Sequence, residues 1–275
     1  MTKIWKHEVN QDWLNARRDV LTASEIKAML PEYKRVAKRM LPSGKLKPGD
    51  ISPGFVALAY EKLSNRELDP TSVGAAARGH IMEPYAIEEW NAWWPDNQMY
   101  HWDDIIIKHN GLGFSPDGLN VPQLYSMGVE TAWSEKNKCL VTQNETFKAP
   151  TQMLEVKCYE PKQHAKAILA VESGDEVDER WQVAVAFMVL HSLTHAYVMW
   201  YCPDSSIPMY MKVYNREDLE EEIKIITNMV RIFHDSKAYV KDVMTKCVFN
   251  DKPMFTEEAI YQEFCSLQSD NVLKI

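Results

Sequence analysis

Cysteine is scarce in this chain, and what there is has no structural spacing. The 275 residues hold five cysteines, Cys139, Cys158, Cys202, Cys247 and Cys265, with no CxxC pair among them. This excludes a zinc ribbon or a disulfide framework and leaves them as small buried hydrophobes. No apolar run is long enough to cross a bilayer, and no signal-peptide pattern follows Met1, so no membrane association is expected and the cytoplasm is the expected location. No Gly/Ser-rich or Pro-rich linker, internal repeat or low-complexity segment divides the sequence. A single elaborated domain over residues 1–275 follows. No HExxH or His–Cys arrangement occurs, and His80, His164, His191 and His195 stand singly, which argues against zinc or nucleophilic histidine chemistry.

What is present is an alternation of helical and strand patterns. A short amphipathic helix is expected over Asp12 to Asp19, and Thr22 or Ser24 can cap a second that runs through Met29 and Leu30. Residues 34–49 read as a basic loop, and Ser52-Pro53 as the start of a helix whose buried stripe is Phe55, Leu58, Ala59 and Leu63. A helix from about Val73 to Trp93 contains Pro84, which predicts a kink or a helix start at Glu83. Strands follow at Asp104–Lys108 and Gly113–Ser115. Residues 120–150 show no helical period and read as an inserted hairpin or flap carrying Trp133, Lys136, Lys138 and Lys148. A strand around Glu155 then gives way to helices through Ala165–Ala170 and Val177–Leu190, followed by strands at Ala196–Tyr201 and Met209–Tyr214. The carboxy-terminal extension, 216–275, is read as a helix from Arg216 to Val243 with Leu219, Ile223, Ile226, Val230 and Phe233 inward, then another over Phe255–Leu267.

Chemistry concentrates in two short motifs. Ser115-Pro116-Asp117-Gly118 places a carboxylate in a tight turn, and Leu154-Glu155-Val156-Lys157-Cys158 places a second carboxylate and an ammonium at i and i+2 of an apolar strand. Those two side chains project from one face while Val156 points to the core. Two carboxylates with a lysine beside them suit an oxygen-preferring divalent cation and phosphodiester hydrolysis. Each motif also has a plain reading, as an ordinary β-turn and as a solvated ion pair on a strand. Charge bears on the same question. The net charge is −8, unusual for a nucleic-acid binder, but residues 1–50 hold eleven Lys/Arg against six Asp/Glu, a local +5 that leaves −13 for the rest. A basic amino-terminal lobe, about 1–50, on an acidic body fits nucleic-acid contacts confined to one channel. The alternative is a solvated basic loop.

Three further segments stand in register with these motifs: Trp13 to Ile26, which includes Arg17-Arg18 and Thr22-Ala23-Ser24-Glu25; Arg78-Gly79-His80-Ile81-Met82-Glu83-Pro84; and Arg180-Trp181-Gln182-Val183. With the two central motifs, and over roughly residues 10–215, the chain resembles the lambda-exonuclease-like (YqaJ-type viral recombinase) family of PD-(D/E)XK nucleases. The resemblance implies an α/β, restriction-endonuclease-like fold with a central mixed β-sheet flanked by helices. It also implies a Mg²⁺-dependent deoxyribonuclease, with Mn²⁺ an alternative ion and two ions per site. Asp117 and Glu155 would be direct ligands, with the Val156 carbonyl a third and Glu83 serving the second ion or its waters. Lys157 would hold the attacking water or neutralise developing charge, and Gln182 would hydrogen-bond the water or a ligand oxygen. Arg17 and Ser24 match the family's pocket for a 5′-terminal phosphate, with Arg18, Lys34, Arg35, Lys38 and Arg39 as further DNA contacts. The cysteine spacing counts against those relatives of the fold that carry a four-cysteine iron–sulfur cluster.

The activity implied is 5′→3′ digestion of one strand from double-stranded DNA ends, leaving 3′ single-stranded overhangs for recombination by strand annealing. A homo-oligomeric ring and a single-strand annealing protein are the implied partners. The insertion at 120–150 departs from the compact family pattern. A structure-selective or restriction-type endonuclease would use the same metal site, and a noncatalytic DNA-end-binding protein would not need Asp117, Glu155 and Lys157 together.

Overall fold

The computed structural model describes residues 17–41, 43, 46–47, 50–63, 75–102, 106–122, 130–133 and 149–247. Their strands form two sheets where the sequence suggested one. The first has the order β1 (Leu21–Thr22), β4 (Leu112–Phe114), β3 (Ile106–His109), β6 (Glu130–Trp133); the second has the order β2 (Tyr100–His101), β5 (Gly118–Leu119), β7 (Gln152–Cys158), β8 (His195–Tyr201), β9 (Met209–Tyr214). Asn110 and Gly111, both at positive φ, make the tight turn between β3 and β4, where asparagine and glycine tolerate the left-handed backbone. After β4 the chain passes to the second sheet through Ser115-Pro116-Asp117. Pro116 has no N–H to give to a ladder, so a proline belongs at such a crossing.

In the second sheet β5 is antiparallel to β7, β7 is parallel to β8, and β8 is antiparallel to β9. A parallel pair needs a long crossover, and two helices supply it: α4 (Pro161–Glu172) and α5 (Arg180–Val189). On β7, Leu154 and Val156 pack with Ala86, Ile87, Trp90, Met99 and Met199 in one core cluster. That cluster brings in helix α3 (Ala75–Trp93), which runs continuously through Pro84 and so does not start at Glu83. Glu155 and Lys157, on alternate positions, face away from it toward α5.

Helix α1 (Ala23–Ala37) corrects the sequence reading in two ways. Its N-cap is Thr22, so Ser24 sits in the first turn. It also continues past Pro31 to Ala37, so Lys34 and Arg35 are helical and not part of a loop. The reason is the apolar stripe: Ile26, Tyr33 and Val36 are buried along one face, and their burial outweighs the bond that Pro31 cannot make. Helix α2 (Pro53–Leu63) begins as expected but buries Lys62 with Phe55 and Ala59, while Leu58 and Leu63 are only half-buried. After a 3₁₀ turn at Arg216–Leu219, helix α6 (Glu220–Cys247) follows. Its inward positions up to residue 236 are Leu219, Glu222, Ile226, Met229, Ile232, Phe233 and Ser236, a stripe that replaces the expected Ile223 and Val230. The chain separates into two units, Met1–Lys237 and Ala238–Ile275. The expected helices at 12–16 and 255–267, and most of 120–150 with Lys136, Lys138 and Lys148, lie outside the described residues. No described helix is long and apolar enough to cross a membrane.

Candidate active site

The carboxylates of the two motifs meet at the seam between the sheets. Asp117 is fixed at both ends, because its carbonyl accepts from Trp102 N–H at 3.2 Å and its Oδ2 accepts from Val156 N–H at 2.7 Å. One strand residue therefore holds the turn carboxylate against β7. Glu155 is 2 % exposed, and its Oε1 accepts from both Lys157 Nζ, at 2.5 Å, and Gln182 Nε2, at 2.7 Å. The i, i+2 geometry of a strand produces the first contact, and α5, which packs on β3, β4 and α1, supplies the second. Trp181, beside Gln182, is buried core.

Electrostatics follow from this packing. Burial pushes the Asp117 carboxyl well above the usual range, and the charges of Glu155 and Glu83 push it further, against Lys157 and the Val156 N–H. Burial alone would lower the Lys157 ammonium. Glu155 and Asp117 reverse that, and Lys157 stays charged well above its ordinary value. Cys158 shares the neighbourhood, its thiol pushed up to about 12 by burial, Glu83 and Asp117.

Glu83 reaches this place from α3, on the opposite face of β7 from Glu155, and its Oε2 lies 3.4 Å from His80 Nδ1. Among the described residues no three His, Cys, Asp or Glu side chains close into a metal cage. The donor set still fits a hard cation. A buried Asp117 carboxyl raised by burial and by the neighbouring Glu155 charge is what a Mg²⁺ or Mn²⁺ ion would neutralise, and such ions take only one or two carboxylates with water completing the shell. Asp117 and Glu155 are placed to hold one, with Glu83 within electrostatic reach.

Sequence reasoning missed three residues here. Arg78, within a quoted motif but given no role, donates from Nη1 to the Cys158 carbonyl at 3.1 Å and pairs through Nε with Glu160 at 3.2 Å. Tyr159 donates to Glu179 Oε1 at 2.7 Å, and the buried Glu179 also helps to raise Lys157. Glu179, the N-cap of α5, precedes Gln182 by three residues, and that spacing was the available signal.

A second constellation forms at the start of α1. Arg17 Nη2 reaches Thr22 Oγ1 at 3.4 Å and Ser24 Oγ at 3.3 Å, and these two hydroxyls lie 3.3 Å apart. Burial lowers the Arg17 pKa, and Glu25 opposes that. Arg18 is half-buried. Lys34, Arg35, Lys38 and Arg39 are exposed, but Arg35 pairs with Glu32 at 2.5 Å and Arg39 lies 3.6 Å from Asp50, so local carboxylates engage two of the four. The two constellations are connected through packing. One turn beyond Ser24, Lys27 Nζ pairs with Asp178 Oδ2 at 2.8 Å, and Asp178 adjoins Glu179.

No protein-family model and no curated protein matches the chain. Solved structures do. An alkaline exonuclease (LHK-Exo) from Laribacter hongkongensis matches with a TM-score of 0.53 at 19% identity, over 86% of this chain and 97% of that one. LHK-Exo in complex with dAMP matches with a TM-score of 0.54 at 18% identity over the same shares. A phage related exonuclease from Haemophilus somnus 129PT stands at 0.46 and 13%, over 75% and 87%, too loose to carry an argument. At these identities the likeness is one of architecture, in agreement with the resemblance read from the motifs. The chain has the restriction-endonuclease-like α/β fold of the Laribacter exonuclease.

Proposed function

We propose that this protein is a metal-dependent exonuclease that digests one strand of duplex DNA in the 5′→3′ direction and leaves 3′ single-stranded overhangs. The observation that carries the reading is the convergence of Asp117, Glu155, Lys157 and Gln182 at one point of a fold shared with an alkaline exonuclease. Asp117 and Glu155, with Glu83 and the Val156 carbonyl in support, would hold a divalent ion, which would supply Lewis-acid chemistry. The chain's own groups do the rest. Lys157, kept charged by its two carboxylates, orients the water and neutralises charge that develops on the phosphate. Gln182 fixes Glu155 so that Oε1 cannot swing away. The second constellation supports end recognition, because Arg17 offers a planar fork for phosphate oxygens and the Thr22 and Ser24 hydroxyls stand beside it at a helix start.

Assembly into a ring around DNA, and delivery of the overhang to a single-strand annealing protein, belong to the same proposal and rest on the sequence resemblance. The test is digestion of 5′-phosphorylated linear duplex and covalently closed circles of the same sequence, with Mg²⁺ and with EDTA. The reading expects linear DNA to be consumed only with the metal and circles to persist. Cleavage of circles would favour an endonuclease.

A further inference from the structure

We infer that Lys62 and Glu25 are positioning residues for the phosphate pocket: they hold the Arg17 segment and the first turn of α1 in register, and Lys62 keeps the Glu25 carboxylate off the Arg17 guanidinium. The inference rests on the exonuclease reading above and names what sets its end preference. Lys62 sits in the last turn of α2 with its side chain 1% exposed, in a stripe otherwise made of Phe55 and Ala59. Its Nζ donates to the Arg17 carbonyl at 2.8 Å and to Glu25 Oε1 at 2.8 Å. The other oxygen, Glu25 Oε2, accepts from Thr22 N–H at 2.8 Å. Three segments are thus tied at one point: α2, the turn over residues 17–22, and α1.

The arrangement carries a desolvation cost. Burial lowers the Lys62 pKa, so the ammonium is held against a desolvation cost, and well-packed apolar residues at a buried ion pair are often as stable or more so. What the pair does fix is direction. Arg17 is oriented through its carbonyl, and its guanidinium then reaches Thr22 and Ser24. Both Glu25 oxygens bond elsewhere, to Lys62 and to Thr22 N–H, while the Arg17 guanidinium reaches the Thr22 and Ser24 hydroxyls. Lys237 places a third cation nearby, donating to the Asp19 carbonyl at 3.2 Å. Among the described residues, the charges that act on Lys62 are the Glu25 carboxylate and the cations Arg17 and Lys237. A terminal phosphate monoester carries about −1.5 to −2 charges and gains more from these cations than a singly charged internal diester.

The experiment measures kcat/KM on linear duplexes with 5′-phosphate and 5′-hydroxyl ends, and takes their ratio for the parent, Lys62→Met and the double variant Lys62→Met/Glu25→Gln. The parent is expected to prefer phosphorylated ends. Lys62→Met should reduce the ratio about tenfold, the worth of one charge-assisted contact, because Glu25 is released onto Arg17. The double variant removes both charges and should recover most of the ratio. A lysine with only a structural role would lower both rates together and shift the melting temperature while leaving the ratio unchanged. A parent-like ratio in folded Lys62→Met overturns the inference and leaves the pocket standing, as does a double variant no better than the single one. A parent with no preference removes the pocket and the inference with it, while digestion itself would still support the metal site.

Discussion

Glu155 shows how few atoms the proposed chemistry needs. One buried carboxylate oxygen accepts from the lysine two residues along its own strand and from an amide on a packed helix. Asp117→Ala, Glu155→Ala and Lys157→Ala are each expected to abolish digestion while the far-UV circular dichroism stays that of the parent. Gln182→Ala should be milder. It removes one hydrogen bond to a charged group, roughly 1.5–3 kcal/mol, so kcat should fall about 10- to 100-fold with KM little changed; steady-state kinetics on linear duplex checks both. At this scale the sequence was informative where chemistry follows from local spacing. Asp117 in a Pro/Gly turn and Glu155-x-Lys157 on a strand are local facts. Lys62–Arg17 joins segments 45 residues apart, and no local pattern announces it.

At the scale of elements, boundaries were the weak point. The end of α1 was misread because the basic residues of 34–49 read as a loop, whereas Tyr33 and Val36 carry the buried stripe into that segment. Glu32, on the same helix, joins α1 to the start of α2: Ser52 Oγ donates to its Oε1 at 2.5 Å and Gly54 N–H at 3.2 Å. Burial opposes ionisation of Glu32, but those bonds, with Arg35 and Arg39, outweigh it and hold its pKa below the ordinary value. The sign follows from linkage: a carboxyl depressed in the folded state adds stability above its unfolded value, about 4.3, and loses it as pH falls through the folded one. Glu32→Ala should therefore cost about 1–3 kcal/mol near neutral pH by denaturant unfolding. The difference from the parent should narrow under acid conditions. A constant difference down to low pH would argue against an ionised Glu32 clasp.

For the whole molecule, the order of helices and strands was legible because period-2 and period-3.6 patterns alternate clearly between residues 52 and 214. The division into two sheets was not, since hydrogen-bonding partners across long connections leave no periodic trace. The acidic net charge of −8 bears on assembly. On the proposed reading, enclosure would keep an acidic chain on DNA, and a closed ring of three or more subunits is expected from light scattering at working concentration. A monomer that remained fully processive would contradict the ring.

The central claim is polarity of digestion by the Asp117–Glu155–Lys157 site, and one measurement addresses it most directly. A linear, 5′-phosphorylated duplex carrying different labels at its 5′ and 3′ termini is incubated with Mg²⁺ and either the parent or folded Glu155→Ala. The account predicts that the parent releases the 5′ label first as mononucleotide, leaving strands that keep their 3′ label, and that Glu155→Ala releases neither. Early release of the 3′ label, or robust digestion by Glu155→Ala, would contradict it.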